Sequence, residues 1–259
     1  MTQTAAVCGI PWRLENGGCA ALPLPEDETI ASTARNHVAS LLPALGLSVT
    51  DVDDIALMVS ELATNVLDHA LPYSGLVHAE LWVYQRGDGQ GHDELVVKAF
   101  DTLRGWRHHP GEPGAEREHG RGLEIIDILS KGRWGHHPSR SRLRTPSVPG
   151  KATWFALPIP RTRIARRRRH ARMPAGEAQA ATVLRSLLSR RGVDRFSVSH
   201  EPGVSVLSGD GYATVWVRNG TFRWQARCGA QGELPVTDIT EVCEELVRLY
   251  EVMDDAHVA

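Results

Sequence analysis

The feature that most limits how this chain can fold lies past its midpoint, where the run from Arg161 to Arg172 reads Arg-Thr-Arg-Ile-Ala-Arg-Arg-Arg-Arg-His-Ala-Arg between Pro160 and Pro174. A run of like charge repels itself, has no apolar face to bury and is bounded here by residues that end regular structure, so it reads as a connector. Apolar patterns on its two sides must then build separate cores, giving units at residues 1–160 and 175–259 joined by a linker at 161–174. A chain of 259 residues, 42% hydrophobic and 23% charged, is long enough for that. The net charge of −2 gives no overall attraction to nucleic acid or anionic membrane. The arginine run alone could contact nucleic-acid phosphates, an acidic partner or an anionic surface. It carries no interleaved aromatics and no DNA-binding motif, so a solvated connector is the expectation.

No segment approaches the roughly 20 apolar residues of a membrane span. The N-terminus, Met1 to Leu14, has neither a basic n-region nor a sustained apolar run, so a cytoplasmic protein is expected. Cys8, Cys19, Cys228 and Cys243 form no Cys-x-x-Cys pair and are expected to be reduced thiols. His108-His109 and His136-His137 lack a spaced carboxylate or Cys partner and are expected to be surface residues rather than metal ligands.

In the first unit, helical spacing predicts a helix over 28–42, with Ile30, Ala34 and Val38 on one side. A second helix is expected from about 51 to 70. Ser48 or Thr50 can cap it, and Asp51, Asp53 and Asp54 suit the positive end of its dipole. Strands follow at 77–84 and 94–100, joined through a Gly-rich hairpin at 87–91. A polar loop over 102–119, a short helix at 123–130 and strands at 132–136 and 151–157 complete the unit. The order α-α-β-β-α-β-β favours an α+β sandwich with helices on one face of a mixed sheet. The second unit reads as a smaller α-β-β-β-α domain: a helix at 177–190, strands at 204–207, 212–218 and 221–226, and a helix at 238–253. It is expected to serve as a partner-binding or regulatory module. Asn219-Gly220 is a two-residue hairpin signal. Trp216 and Trp224 flank it and are expected on one face, as core or as a partner-binding surface.

The second helix carries the chemistry. Ile55, Val59, Leu62 and Val66 cluster on one side, while Glu61, Asn65, Asp68 and His69 lie roughly 90° away along the border of the core face, where a pocket wall forms. Magnesium prefers hard oxygen ligands and commonly takes one or two protein groups plus nucleotide phosphates. Asn65 offers one such oxygen. Glu61, a turn earlier, is placed to orient or deprotonate an attacking hydroxyl or water. Two further features lie downstream. The apolar strand Leu95-Val96-Val97-Lys98-Ala99-Phe100 delivers Asp101 to the sheet edge, and Gly120-Arg121-Gly122-Leu123 brings unobstructed backbone N–H groups to a helix N-terminus, where an anion is favoured.

Ser60-Glu61-Leu62-Ala63-Thr64-Asn65-Val66-Leu67-Asp68-His69-Ala70 resembles the N box of the GHKL ATPase superfamily, closest to its anti-sigma-factor serine/threonine-kinase branch. The resemblance covers about residues 28–158. It implies a GHKL-type α/β sandwich that binds ATP with Mg2+. In it Asn65 holds the metal, Glu61 is the general base, and Asp101 accepts a hydrogen bond from the adenine amino group. Gly120, Arg121, Gly122 and Leu123 form the glycine box at the phosphates, with Thr153 beneath adenine. Many members continue from the Asp as Asp-x-Gly-x-Gly. This chain has Asp101-Thr102-Leu103-Arg104-Gly105, so Gly105 alone remains of that box. The 102–119 loop becomes a candidate lid over the nucleotide.

The resemblance further implies a protein kinase acting on a regulatory partner, such as an anti-anti-sigma factor or a sigma factor. Homodimers are common in that family, though the appended unit could block or replace their interface. Two rival readings stay open: a nucleotide-dependent sequestering protein without kinase activity, and a partner-binding domain that no longer binds ATP. The intact Glu61 favours catalysis, and the incomplete glycine box favours the rivals.

Overall fold

A computed structural model describes residues 18–42, 45, 47–69, 78–87, 92–104, 121–159 and 176–258. The whole arginine run, the 105–120 segment with Gly105 and Gly120, the pair His108-His109 and Cys8 lie outside these residues.

The described chain forms two five-stranded antiparallel sheets and five helices. The first unit contains β1 (Ala20–Leu24), α1 (Ile30–Leu41), α2 (Val49–His69), β2 (Ala79–Gly87), β3 (Asp93–Asp101), α3 (Arg121–Ser130), β4 (Trp134–Arg140) and β5 (Pro149–Ile159). Its sheet order is β1-β2-β3-β5-β4. Every pairing is antiparallel, so the sheet is not mixed as expected: β2 with β3 and β4 with β5 each run back directly, and β3 also meets β5 antiparallel. The second unit contains α4 (Glu177–Arg190), β6 (Phe196–Glu201), β7 (Val204–Gly209), β8 (Ala213–Arg218), β9 (Thr221–Ala226), β10 (Gln231–Pro235) and α5 (Ile239–Val258), with the strands in a simple meander.

α2 starts where its sequence caps it. The Asp51 N–H donates to Ser48 Oγ at 3.1 Å while the Ser48 N–H donates to Asp51 Oδ2 at 3.2 Å, a reciprocal capping box. Its buried stripe, Ile55, Val59, Leu62 and Val66, packs with Ile30, Ala34 and Val38 of α1 onto one face of the first sheet. Side chains alternate along a strand. Leu81 and Val83 of β2 and Leu95, Val97 and Ala99 of β3 therefore face the helices, while Trp82, Tyr84, Val96 and Phe100 form a small aromatic cluster on the far face.

The second sheet buries Val215, Val217, Phe222 and Trp224 beneath α4 and α5. It has five strands rather than the three expected. The hairpin turn stands where predicted, with Asn219 at φ 51° and Gly220 at φ 72°, the positive values a two-residue turn requires. That same turn overturns the expected pairing of the two tryptophans. It sets Arg218 opposite Thr221, so Trp216 pairs with Arg223 and Trp224 with Val215. The two indoles project from opposite faces, Trp224 into the core and Trp216 outward.

α5 serves both units. Its apolar stripe, Ile239, Val242, Leu246 and Leu249, belongs to the second core. A second stripe, Glu241, Glu244 and Glu251, lies against the far face of the first sheet.

Candidate functional site

Glu61 of α2 meets Gly122 of α3, and Asp101 and Thr153 lie on the helix-facing side of the first sheet. Glu61 and Asn65 sit half-buried on α2, which packs against α3. A Cβ added at Gly122 would stand 2.6 Å from Glu61 Oε2, so the carboxylate lies directly against the first turn of α3. That turn presents backbone N–H groups without intrahelical partners, and its dipole favours negative charge. Arg121 is the first residue of α3, and Leu123 packs against the first core. Asn65 Nδ2 is buried with no hydrogen-bond partner among the described residues. A buried carboxamide left unmatched costs stability and points to a group supplied from outside. A half-turn of the amide exchanges its nitrogen for its oxygen, so the same position can offer the hard donor that magnesium takes. The donor set therefore fits a magnesium–nucleotide pair.

Asp101 ends β3 as expected, and its carboxylate is buried at 3% exposure. Both of its close bonds use Oδ1: Lys151 Nζ donates at 2.8 Å and the Leu103 N–H at 2.9 Å. Burial pushes the Asp101 carboxyl up from the usual range, and Lys151 offsets this only in part. Lys151 Nζ also donates to the Leu103 carbonyl at 3.1 Å. The chain leaving the strand is held further by the His78 N–H, which donates to Thr102 Oγ1 at 3.3 Å. Thr153 is buried on β5, opposite Ala99 on one side and His136 on the other. It alternates with Ala152 and Trp154 and so shares the helix side with Phe155 and Lys151. Gly150 has a steric role of its own: a Cβ there would fall 2.1 Å from the Asp101 carbonyl oxygen.

Lys151 escaped the sequence reading. Its function depends on register, because β5 sets it opposite Asp101, and no motif announces that. A second missed set lies on the far face. Glu244 receives Arg142 Nη2 at 2.7 Å, Arg191 Nη1, and Lys98 Nζ at 3.5 Å. Burial works against ionising Glu244, but Arg191, Arg142 and Lys98 outweigh it and hold the carboxyl well below the usual range. The Arg191 and Arg142 guanidiniums also stand over the Trp82 ring, at 4.8 and 5.3 Å from its centroid. Glu241 receives Arg86 Nη1 at 2.7 Å and the Tyr84 hydroxyl, and Glu251 receives Arg140 Nη1 at 2.7 Å and Arg104. His137, expected on the surface, is instead half-buried here. Its Nδ1–H donates to the Pro138 carbonyl at 2.9 Å, and its Nε2 accepts from Lys98 at 3.0 Å.

A separate cavity of about 480 Å³ opens on the outer face of the second sheet around Trp216, Arg218 and Arg223, away from the motif residues.

Residues 24–131 match the family model of the histidine kinase-like ATPase domain. The span runs from the end of β1 to the end of α3 and contains Glu61, Asn65, Asp101 and the glycine turn. The α+β fold, with two antiparallel sheets and five helices among the described residues, is consistent with a GHKL-type α/β domain followed by a sheet domain. No curated protein matches the chain. Among the described residues, no helix is long and apolar enough to cross a membrane.

Proposed function

We propose that the first unit binds ATP with magnesium and that the chain is an anti-sigma-type regulatory kinase. It would transfer the γ-phosphoryl group to a serine or threonine hydroxyl of a protein partner, such as an anti-anti-sigma factor. The observation that carries this reading is the contact between Glu61 and the Gly122 turn. It sets a carboxylate beside the backbone N–H groups that receive phosphates, with the unpartnered Asn65 amide one turn further along α2.

In this reading Glu61 accepts the proton of the partner's hydroxyl as its oxygen attacks the γ-phosphorus, and ADP leaves. Asn65 would hold the magnesium ion that accompanies the nucleotide, which would supply charge neutralisation at the phosphates. Asp101 offers Oδ2 to the adenine amino group while Lys151 and Leu103 occupy Oδ1. Arg121, Gly122 and Leu123 would line the phosphates, and Gly120, which precedes them in sequence, is assigned to the same glycine box. Gly105 belongs to the remnant of the first glycine box. Thr153 lies on the side of the sheet that would face adenine.

Sequestration without phosphorylation is the second reading, and the incomplete first glycine box, in which Gly105 alone follows Asp101, favours it. Calorimetric titration of ATP with and without magnesium, then phosphate transfer to a co-purified partner, separates the two in wild type, Asn65→Ala and Glu61→Ala. The kinase reading expects magnesium-dependent binding lost in Asn65→Ala, and binding retained with transfer lost in Glu61→Ala. Binding by wild type without transfer would favour sequestration. Absence of ATP binding by wild type would end both readings.

A further inference from the structure

We infer that Glu251, on the last helix of the second unit, is a positioning residue for the nucleotide site. It acts through Arg104 on the chain that leaves Asp101. The inference rests on the proposed ATP site and adds a controlling link to it from the appended unit.

Beyond the bond from the His78 N–H to Thr102, the turn after β3 is fastened at three places. The Asp101 carboxylate takes the Leu103 N–H, Lys151 takes the Leu103 carbonyl, and the guanidinium of Arg104 pairs with Glu251 of α5. The first two fastenings come from the ATPase sheet itself. The third reaches across to the second unit. Glu251 has a fully buried side chain that also receives Arg140 of β4 at 2.7 Å, so it is held in place from the first sheet as well. A carboxylate anchored in this way fixes the direction in which residues 102–104 depart from the sheet. Those residues directly follow Asp101, the proposed adenine reader. A shift of α5 would therefore alter the adenine side of the site without touching any ligand contact directly.

The remainder of the acidic stripe supplies an internal control. Glu241 docks α5 onto the same sheet through Arg86 and Tyr84. Arg86 stands opposite Glu94, at the far end of β3 from Asp101. Glu241 thus contributes to docking at a place remote from the turn.

The experiment compares full-length wild type with Glu251→Gln, Arg104→Ala, their double variant and Glu241→Gln. It measures MgATP dissociation constants and, without nucleotide, the exchange rate of the Leu103 amide. Glu251→Gln and Arg104→Ala are each expected to weaken MgATP about tenfold, with the double variant no weaker than either. Leu103 exchange should quicken about tenfold in the same variants. Glu241→Gln should leave both quantities at wild-type values.

A Glu241→Gln effect equal to that of Glu251→Gln would mean general loosening of α5 and would overturn the inference. So would unchanged affinity and exchange in Glu251→Gln. If wild type binds no ATP, the proposed function fails on that result alone. The exchange rates then decide the link: faster exchange in Glu251→Gln but not in Glu241→Gln upholds it, and equal rates refute it.

Discussion

Gly122 is defined by what a larger side chain would displace. The atom nearest its absent Cβ is the tip of a flexible carboxylate, Glu61 Oε2 at 2.6 Å, so a methyl group there moves Glu61 and leaves the backbone in place. Gly122→Ala is therefore expected to lower phosphoryl transfer about 100-fold, the scale of one misplaced general base, while its melting temperature stays at the wild-type value. Transfer at the wild-type rate would show that Glu61 is not the base. Glu61 and Asn65 were legible from the sequence because a helix repeats at a fixed interval, and four apolar residues fix where its border lies. Asp101 was legible because an apolar run ends on it. Lys151 and Arg104 were not, since their partners lie across a strand pairing and in another unit, and spacing along the chain does not encode either.

Among the elements, α5 shows how much one helix can hold. If Glu244 is removed, Arg142, Arg191 and Lys98 remain together in a buried site with their common anion gone. Breaking one side of a buried ionic group typically costs about 3–5 kcal/mol, so Glu244→Ala should lower the free energy of urea unfolding by that amount. A loss below about 1 kcal/mol would mean the cluster is solvated and weak. The three strands that the sequence reading missed, β1, β6 and β10, are all edge strands. An edge strand pairs on one side only, so it tolerates Pro23 in β1 and Gly232 and Pro235 in β10, and Ser197, Ser199 and Glu201 of β6 face water. The inner strands, buried on one or both faces, carried a signal strong enough to read. The turn at Asn219-Gly220 was equally clear, but its register, which parts Trp216 from Trp224, emerges only when residues are counted outward from the turn.

At the scale of the whole molecule, the two units meet through charge, and charge responds to pH. Burial, then the neighbouring Lys98, pushes the His137 imidazole down to about 4 from an ordinary 6.5, because protonation would set two cations against each other. Between those values the unfolded chain binds a proton that the folded chain refuses. This part of the stability is complete above about pH 6.5 and falls away as the pH drops towards 4. Glu244, held low by its guanidiniums, adds a further loss at more acid pH. Melting temperature should decline across that window in wild type and decline less steeply in His137→Gln; equal slopes would refute the assignment. None of this docking was visible in the sequence. Glu241, Glu244 and Glu251 look like the solvated side of an amphipathic helix, and Lys98 is a lone charge inside an apolar strand.

The arginine run is the place where composition invites anyone to divide the protein, and α5 makes that division costly. A chain ending there would uncover Trp82 and Tyr84 in the middle of a sheet, beside Lys98 and Arg142 stripped of Glu244 and beside Arg86 left with Glu94 after losing Glu241. Such a fragment would cling to nucleic acids, resins and its own copies, so nucleic-acid binding by the isolated first half would report a bare wound rather than a property of the intact protein.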